Sequence, residues 1–172
     1  MKNSFYISIL VSIVLMYTSC AASNNQNQDT STTSNANAVN TPTSLQFEVV
    51  KVYPHDTTAY TEGLELYNNR FIESAGNYNK SFLHQLDTSF KRIGSKLPIA
   101  KDYFAEGITV FNDKIYQLTW KEHKVFVYNA TTLVKTGEFE WPYEGWGMTH
   151  NDSSIFVSTG SANIYEVDPT TF

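Results

Sequence analysis

An internal repeat constrains the fold of this chain more than any other feature of its sequence. Three similar segments begin at Gly63, Gly107 and Gly147, spaced 44 and then 40 residues apart. Each segment leads into a pair of turn-forming residues: Asn68-Asn69, Asn112-Asp113 and Asn151-Asp152. Because Asn and Asp tolerate a positive φ, these pairs favour tight β-hairpins.

Short apolar segments follow the turns at matching positions of each repeat. Second strands are predicted at 70–74, 114–119 and 154–158, third strands at 81–86, 124–128 and 163–167, and fourth strands at 90–94 and 133–139. Four short antiparallel strands in a period of about 40–45 residues are typical of a β-propeller blade. We therefore predict an all-β propeller with about three blades in this chain. The alternative is a generic meander whose similarity is accidental.

The sequence stops near the end of the third repeat, at residues 168–172. A propeller needs at least about four blades to close its ring, and an open ring would expose unpaired strand edges. We therefore expect this sequence to be an N-terminal fragment of a longer protein.

The first strand of each propeller blade lines the central channel, so the residues that enter these strands should meet at one mouth of it. Directly before the repeat glycines come Glu62, Glu106 and Trp146, and two residues earlier come Tyr60, Phe104 and Glu144. We expect three carboxylates and three aromatic rings to converge there. The chain has three Glu-Gly pairs here, at 62–63, 106–107 and 144–145. Such a pair can also be a structural turn device, and repetition favours that interpretation for two of the three pairs. Glu106 is the catalytic candidate because aromatic residues flank it most closely.

The turns between second and third strands should lie on the same face as this mouth. They place Gly76, Trp120 and Gly160 at equivalent positions, so Trp120 replaces a turn glycine in one blade alone. A large aromatic residue at an exposed turn can serve as a ligand platform. Packing against the neighbouring blade is the alternative role.

The composition and the motifs of the sequence argue against several classes of function. The formal net charge is -5, and no basic stripe suggests a nucleic-acid partner. The four histidines lack metal-ligand spacing, and the single cysteine, Cys20, leaves no internal disulfide or cysteine nucleophile in the mature domain. Phosphate-binding loops, nucleophile elbows and zinc-protease motifs are also missing from the sequence. We predict no metal and no cofactor.

The N-terminal region is typical of an exported protein. A positive residue and a short apolar run within residues 1–20 predict a signal peptide, and small residues before Cys20 resemble a bacterial lipoprotein cleavage site. Residues 21–44 are mainly polar and predict a flexible tether, which leaves 45–172 for the partial propeller. We expect lipidation at Cys20 and membrane anchoring on the periplasmic or cell-surface side. The alternative is an ordinary secretory signal with an incidental cysteine.

Several motifs, in order along residues 47–172, resemble the plant- and bacterial-type glutaminyl cyclotransferases. They are YPHDTTAYTEGL at 53–64, ESAGNY at 73–78, FAEGIT at 104–109, LTWK at 118–121 and EGWGMT at 144–149. The resemblance implies a five-bladed, metal-independent propeller that converts the N-terminal glutamine of peptides and proteins to pyroglutamate and releases ammonia. It further implies roles for six residues: Glu106 as general acid/base, Phe104, Trp120 and Trp146 as the aromatic pocket, and Tyr60 and Glu62 as its rim.

Two positions depart from the pattern of this family, which often has Phe and Gln where this sequence has Tyr60 and Glu62. The family's remaining pocket residues come from later blades. Two other interpretations stay open at this point. One is a non-catalytic, lipid-anchored propeller that binds a ligand or a protein. The other is a degenerate relative that keeps the fold without the activity.

Overall fold

The structure, a computed structural model, describes residues 44–172. Phe47–Phe172 form one unit of the fold. The predicted signal peptide, Cys20 and all of the predicted tether except residue 44 lie outside the described residues. Between residues 44 and 172, no helix is long and apolar enough to cross a membrane.

The described chain consists of eleven β-strands. In chain order they are β1 Thr61–Tyr67, β2 Arg70–Ala75, β3 Phe82–Leu86, β4 Arg92–Pro98, β5 Ala105–Phe111, β6 Lys114–Thr119, β7 Lys124–Asn129, β8 Lys135–Glu140, β9 Met148–His150, β10 Ile155–Ser158 and β11 Ile164–Val167. They form three antiparallel meanders, with the strand orders β1-β2-β3-β4, β5-β6-β7-β8 and β9-β10-β11. Each meander corresponds to one predicted blade, and we number the blades 1 to 3.

The first two hairpin turns adopt the predicted conformation. Asn68 and Asn69 have φ values of 47° and 60°, and Asn112 and Asp113 have 48° and 60°. The third turn is different. Asn151 accepts hydrogen bonds from the backbone N–H of Ser153 and Ser154 at 2.9 and 2.7 Å, which forms a longer turn between β9 and β10.

The fourth strands begin later than the sequence predicted. Phe90 and Leu133, the predicted first residues, have positive φ values of 60° and 58° and lie in the turns before β4 and β8. The Phe90 ring stacks on Phe71 at 4.5 Å, and Leu133 packs on the core between blades 1 and 2. Their apolar side chains are therefore used in turns rather than in strands.

Strands β5, β6 and β7 of blade 2 are buried on both faces, and alternate residues of these strands point to opposite neighbours. Ile115 and Phe126 join Ile72 of blade 1 in one core cluster. Leu118 and Val125 join blade 3 in a second cluster, which includes Ile155 and Val157. Each such side chain stabilises the fold by about 1.5–3 kcal/mol when it is fully buried.

Two of the three repeat glycines, Gly63 and Gly107, allow the inner strands to touch. A Cβ added to Gly63 would lie 2.7 Å from the backbone N of Ile108 and 3.2 Å from Cα of Gly107. A Cβ added to Gly107 would lie 2.5 Å from the carbonyl O of Trp146 and 2.9 Å from Cα of Gly147. The backbone of β5 therefore approaches those of β1 and of the start of β9 at distances that exclude any side chain.

This close approach predicts that Gly107→Ala destabilises the protein by about 1–3 kcal/mol, since the added methyl meets backbone atoms that cannot rotate away. Urea denaturation of the full chain measures the loss. Gly137→Ala is the matched control, because a Cβ on Gly137 of β8 meets nothing within 4 Å. A Gly107→Ala protein as stable as the control would contradict the proposed packing of the inner strands.

Candidate active site

Glu62 and Glu106 lie at irregularities where blades 1 and 2 begin. The register of β1 against β2 shifts between Thr61 and Gly63, and that of β5 against β6 shifts between Ala105 and Ile108. A β-bulge re-aims the side chains of the extra residues. Both glutamates are half-buried, and both line the same cavity.

This cavity has a volume of about 430 Å³, within the usual range for small-ligand sites. Its walls include the indoles of Trp120 and Trp146 as well as the two carboxyl groups, while Gly147 and Ser158 complete the lining. Residues of all three blades therefore meet at one site, but its lining holds two carboxyl groups and two aromatic rings rather than the predicted three of each.

The backbone of Glu106 is held by a buried chain of polar side chains. Ser74 Oγ donates a 2.6 Å hydrogen bond to the Glu106 carbonyl, and Gln117 Nε2 donates to Ser74 Oγ at 2.8 Å. Tyr128 Oη in turn donates to Gln117 Oε1 at 3.1 Å. Ser74 and Gln117 are fully buried, so the chain holds Glu106 at a defined position.

The carboxyl group of Glu106 has a strongly altered affinity for its proton. Burial, together with the negative charges of Glu62, Glu122 and Glu144 and a hydrogen bond shared with Glu62, raises the pKa of Glu106 to about 8. Burial also raises the pKa of Glu62, which the hydrogen bond with Glu106 partly offsets. The two carboxyls therefore titrate as a coupled pair, with the proton on Glu106 at neutral pH.

An aromatic row supports the wall of the cavity from behind. The ring of Phe104 packs edge-on against Tyr78 at 5.5 Å and against Trp120 at 5.7 Å. Phe104 also lies over Gly76, where a Cβ would collide with its ring. Gly76 thus makes room for Phe104, which explains why this blade has glycine where the next has Trp120.

One carboxylate binds both tryptophans of the cavity. Oε2 of Glu144 accepts hydrogen bonds from Nε1 of Trp120 at 3.0 Å and from Nε1 of Trp146 at 3.2 Å. Lys121 Nζ lies 3.8 Å from the other oxygen and 4.0 Å from the Trp120 ring centroid. The hydrogen bond from Trp146 is the main reason that the pKa of Glu144 is lowered.

A fully buried carboxylate, that of Glu73, anchors the start of β1. Glu73 Oε1 accepts hydrogen bonds from Thr61 Oγ1 at 2.5 Å and from His55 Nε2 at 2.8 Å, while Oε2 lies 2.6 Å from His84 Nε2. Although burial raises the pKa of Glu73, the hydrogen bonds from His84 and Thr61 outweigh burial and lower it. Thr61 lies between Tyr60 and Glu62, so this network positions both.

Four of the six predicted site residues line the cavity, and two do not. Glu62, Glu106, Trp120 and Trp146 line the cavity, whereas Phe104 stands behind Trp120. Tyr60 is 65% exposed and does not line the cavity, although its carbonyl accepts a 2.8 Å hydrogen bond from the Gly76 N–H.

Three further residues contribute, and sequence reasoning assigned no individual role to them. Glu122 accepts hydrogen bonds from Tyr78 Oη at 2.8 Å and from the Phe104 N–H at 3.3 Å, beside the cavity. Glu144 was noted by position without a role. Tyr78 follows a turn motif, and the sequence offers no signal that its ring meets Phe104.

A larger cavity, of about 650 Å³, lies elsewhere, between the outer strands of blades 1 and 2. Its walls are largely apolar and include Ile93, Leu97, Phe126 and Leu133. Its only carboxylate, Glu138, is paired with Lys124 and Lys135 at 3.1 and 2.6 Å. The smaller cavity is the candidate active site, because perturbed carboxyl groups are a better guide to chemistry than volume. Within residues 44–172, no three His, Cys, Asp or Glu side chains are grouped to hold a metal ion.

Comparison with known proteins gives the family. The sequence model for glutamine cyclotransferase matches residues 12–172. The chain belongs to the glutamine cyclotransferase family. This confirms the resemblance that the motifs indicated.

Similarity to two individual proteins agrees with this result. Glutaminyl-peptide cyclotransferase of Arabidopsis thaliana is 33% identical over 129 residues, which are 73% of this chain and 40% of the plant protein. Myxococcus xanthus glutaminyl cyclase, a crystal structure, matches with a TM-score of 0.64 and 27% identity over 73% of this chain and 53% of that chain. The chain thus spans less than two thirds of either relative.

A more distant structure supports the fold alone. The WD40 domain of Neurospora crassa Pan2 matches with a TM-score of 0.53 at 12% identity, and covers 65% of this chain and 33% of that domain's chain. Together with the three meanders, these matches confirm the predicted all-β propeller fold.

The coupling of the two carboxyls predicts that Glu62→Gln lowers the pKa of Glu106, because the substitution removes a neighbouring negative charge. NMR titration of the protein labelled with ¹³C at the glutamate carboxyl carbons measures this pKa. Glu166→Gln, on the exposed face of β11, should leave it unchanged. An identical Glu106 titration in wild type and Glu62→Gln would show that the two groups do not interact.

Proposed function

We propose that this protein is a glutaminyl-peptide cyclotransferase, which closes the N-terminal glutamine of peptides and proteins into pyroglutamate and releases ammonia. The main support is the half-buried Glu106, whose pKa is raised to about 8, in a cavity walled by two indoles. Family membership gives the reaction class, and the two named relatives are glutaminyl cyclases by their own descriptions.

The reaction needs proton transfer more than any other chemical help. The α-amino nitrogen of the substrate forms a bond to its own side-chain carbonyl carbon, and the bond from that carbon to the amide nitrogen breaks. The attacking nitrogen must lose a proton, and the departing nitrogen must gain one before it leaves as ammonia. A single carboxyl group can do both, so we assign this role to Glu106.

The raised pKa of Glu106 suits this role. A carboxyl that titrates near pH 8 holds a proton for the departing nitrogen at neutral pH. After donation, its carboxylate is basic enough to accept the proton of the new ammonium group. An ordinary glutamate, with a pKa of 4.5, would be a much poorer base.

The indoles of Trp120 and Trp146 are proposed to hold the curled substrate in place. Ring closure needs the amine and the carboxamide within bonding distance, and a restricting pocket raises the fraction of such conformers. Flat apolar walls suit the uncharged glutamine side chain, while the nearby carboxylates disfavour glutamate. Phe104 supports Trp120, and Tyr60 and Glu62 form the proposed rim.

We further propose the metal-independent type of reaction. Both reacting groups belong to the substrate, and the proton transfers require only Glu106. Activity that survives prolonged treatment with EDTA and 1,10-phenanthroline would agree with this assignment. Loss of activity that zinc restores would overturn it.

Replacing Glu106 by Gln is expected to lower kcat by about 10²- to 10⁴-fold, the usual contribution of a general acid/base. Mass spectrometry of a short Gln-initiated peptide, incubated with the full-length protein, follows the loss of one ammonia. Circular dichroism checks that the variant is folded.

Glu65→Gln is the matched control for this substitution. Like Glu106, Glu65 is partly buried, and it lies on β1. It accepts a hydrogen bond from the Val110 N–H at 3.0 Å and does not line the cavity. The kcat of this control variant should stay within a few-fold of the wild-type value. Normal turnover by Glu106→Gln would reject Glu106 as the acid/base, and a folded wild type without any ammonia release would favour a non-catalytic binding propeller.

We also propose that Cys20 is lipidated after signal cleavage and anchors the exported protein to a membrane. The small residues before Cys20 and the polar segment after it support this proposal. Metabolic labelling with a fatty acid should mark the wild-type protein, and Cys20→Ala should abolish the label. Equal labelling of both proteins, or none of either, would reject the anchor.

A further inference from the structure

All three tryptophans of the chain donate hydrogen bonds to one residue, Glu144. Its side-chain oxygen Oε2 accepts from Trp120 and Trp146, and its backbone carbonyl accepts from Nε1 of Trp141 at 3.3 Å. Trp120 follows β6 of blade 2, whereas Trp146 precedes β9 of blade 3. The carboxylate therefore ties together two walls that come from different blades.

The backbone around Glu144 is fixed on both sides. The Gly145 N–H donates to the Trp120 carbonyl at 2.9 Å, and the Trp146 N–H donates to the Ser158 carbonyl at 3.1 Å. A Cβ on Gly145 would lie 2.5 Å from the Thr119 carbonyl oxygen, so this segment packs directly on the end of β6. The carboxylate thus projects from a rigid base.

The indole of Trp146 needs such support because it is 49% exposed. Its ring lies over Gly160, where a Cβ would collide with it. An exposed tryptophan held by packing on one side alone can change rotamer, and each change would open or close the gap to Trp120. A charged acceptor shared by both Nε1 atoms removes this freedom, since hydrogen bonds to charged groups are stronger than neutral ones.

We propose that Glu144 is a positioning residue, which holds the indoles of Trp120 and Trp146 at a defined spacing and thereby determines how tightly the substrate is bound. Lys121 assists by placing its ammonium group beside the second carboxylate oxygen and over the Trp120 ring. The effect on the substrate rests on the proposed function, but the effect on the indoles does not.

The first test is spectroscopic and independent of activity. In protein labelled with ¹⁵N-tryptophan, the three indole N–H groups give three resolved signals. Glu144→Gln should move the signals of Trp120 and Trp146 upfield, because a neutral amide oxygen is a weaker acceptor. The Trp141 signal should stay, since its acceptor is the backbone carbonyl, and it serves as the internal reference.

Glu140→Gln is the matched control, because Glu140 is 77% exposed at the end of β8 and pairs with Lys124 rather than with an indole. It should leave all three signals in place. If Glu144→Gln also leaves the Trp120 and Trp146 signals in place, the shared acceptor is disproved. If all three signals collapse, Glu144 is needed for folding in general, and the specific positioning role is rejected.

The second test separates binding from chemistry. Glu144→Gln and Glu144→Ala should raise KM for a Gln-initiated peptide roughly tenfold to a hundredfold, the equivalent of losing one or two hydrogen bonds to a charged group, with kcat changed much less. A fall in kcat with unchanged KM would overturn the positioning role. If the wild type proves inactive, the proposed function fails, while the indole signals still decide whether Glu144 holds the tryptophans.

Discussion

The contact between the backbones of β1, β5 and β9 determines most of what this structure can do. Gly63 and Gly107 leave no room for side chains between the inner strands, so these strands meet closely. The residues one position before the repeat glycines are brought together as a consequence: Glu62 in β1, Glu106 in β5 and Trp146 just before β9. Glycine at the first two repeat positions is therefore a requirement of the fold, and the cavity beside them is a result of the same constraint.

The raised pKa of Glu106 lowers the stability of the folded protein. Native Glu106 retains its proton up to about pH 8, whereas the unfolded chain releases it near 4.5. The free energy of unfolding consequently falls as the pH rises through that window, because the unfolded state is the one that gives up the proton. The two apolar clusters on the faces of blade 2 and the Ser74–Gln117–Tyr128 chain offset this penalty.

The sequence was sufficient for the parts of the structure that follow from periodicity. The blade repeat, the two hairpin turns at 68–69 and 112–113 and the meeting of Glu62, Glu106 and Trp146 all depend on spacing and on backbone preference. The longer turn at Asn151 and the late start of β4 and β8 depend on side chains that bond or pack locally. The roles of Tyr78, Glu122 and Glu144 depend on contacts between blades, which the repeat pattern of the sequence does not predict.

An exchange of residues in blade 3 shows how the repeat was adapted to a site. Blades 1 and 2 place an aromatic residue three positions before the repeat glycine and a glutamate directly before it, whereas blade 3 reverses the two, as Glu144 and Trp146. An unreversed third blade would bring a third carboxyl into the cavity beside Glu62 and Glu106, with more repulsion and one wall fewer. The reversal instead adds an indole to the lining and moves the carboxylate behind it, where Nε1 of Trp120, Nε1 of Trp146 and Lys121 compensate its charge. A fold-level repeat thus becomes an asymmetric pocket, with one coupled carboxyl pair facing two fixed aromatic walls.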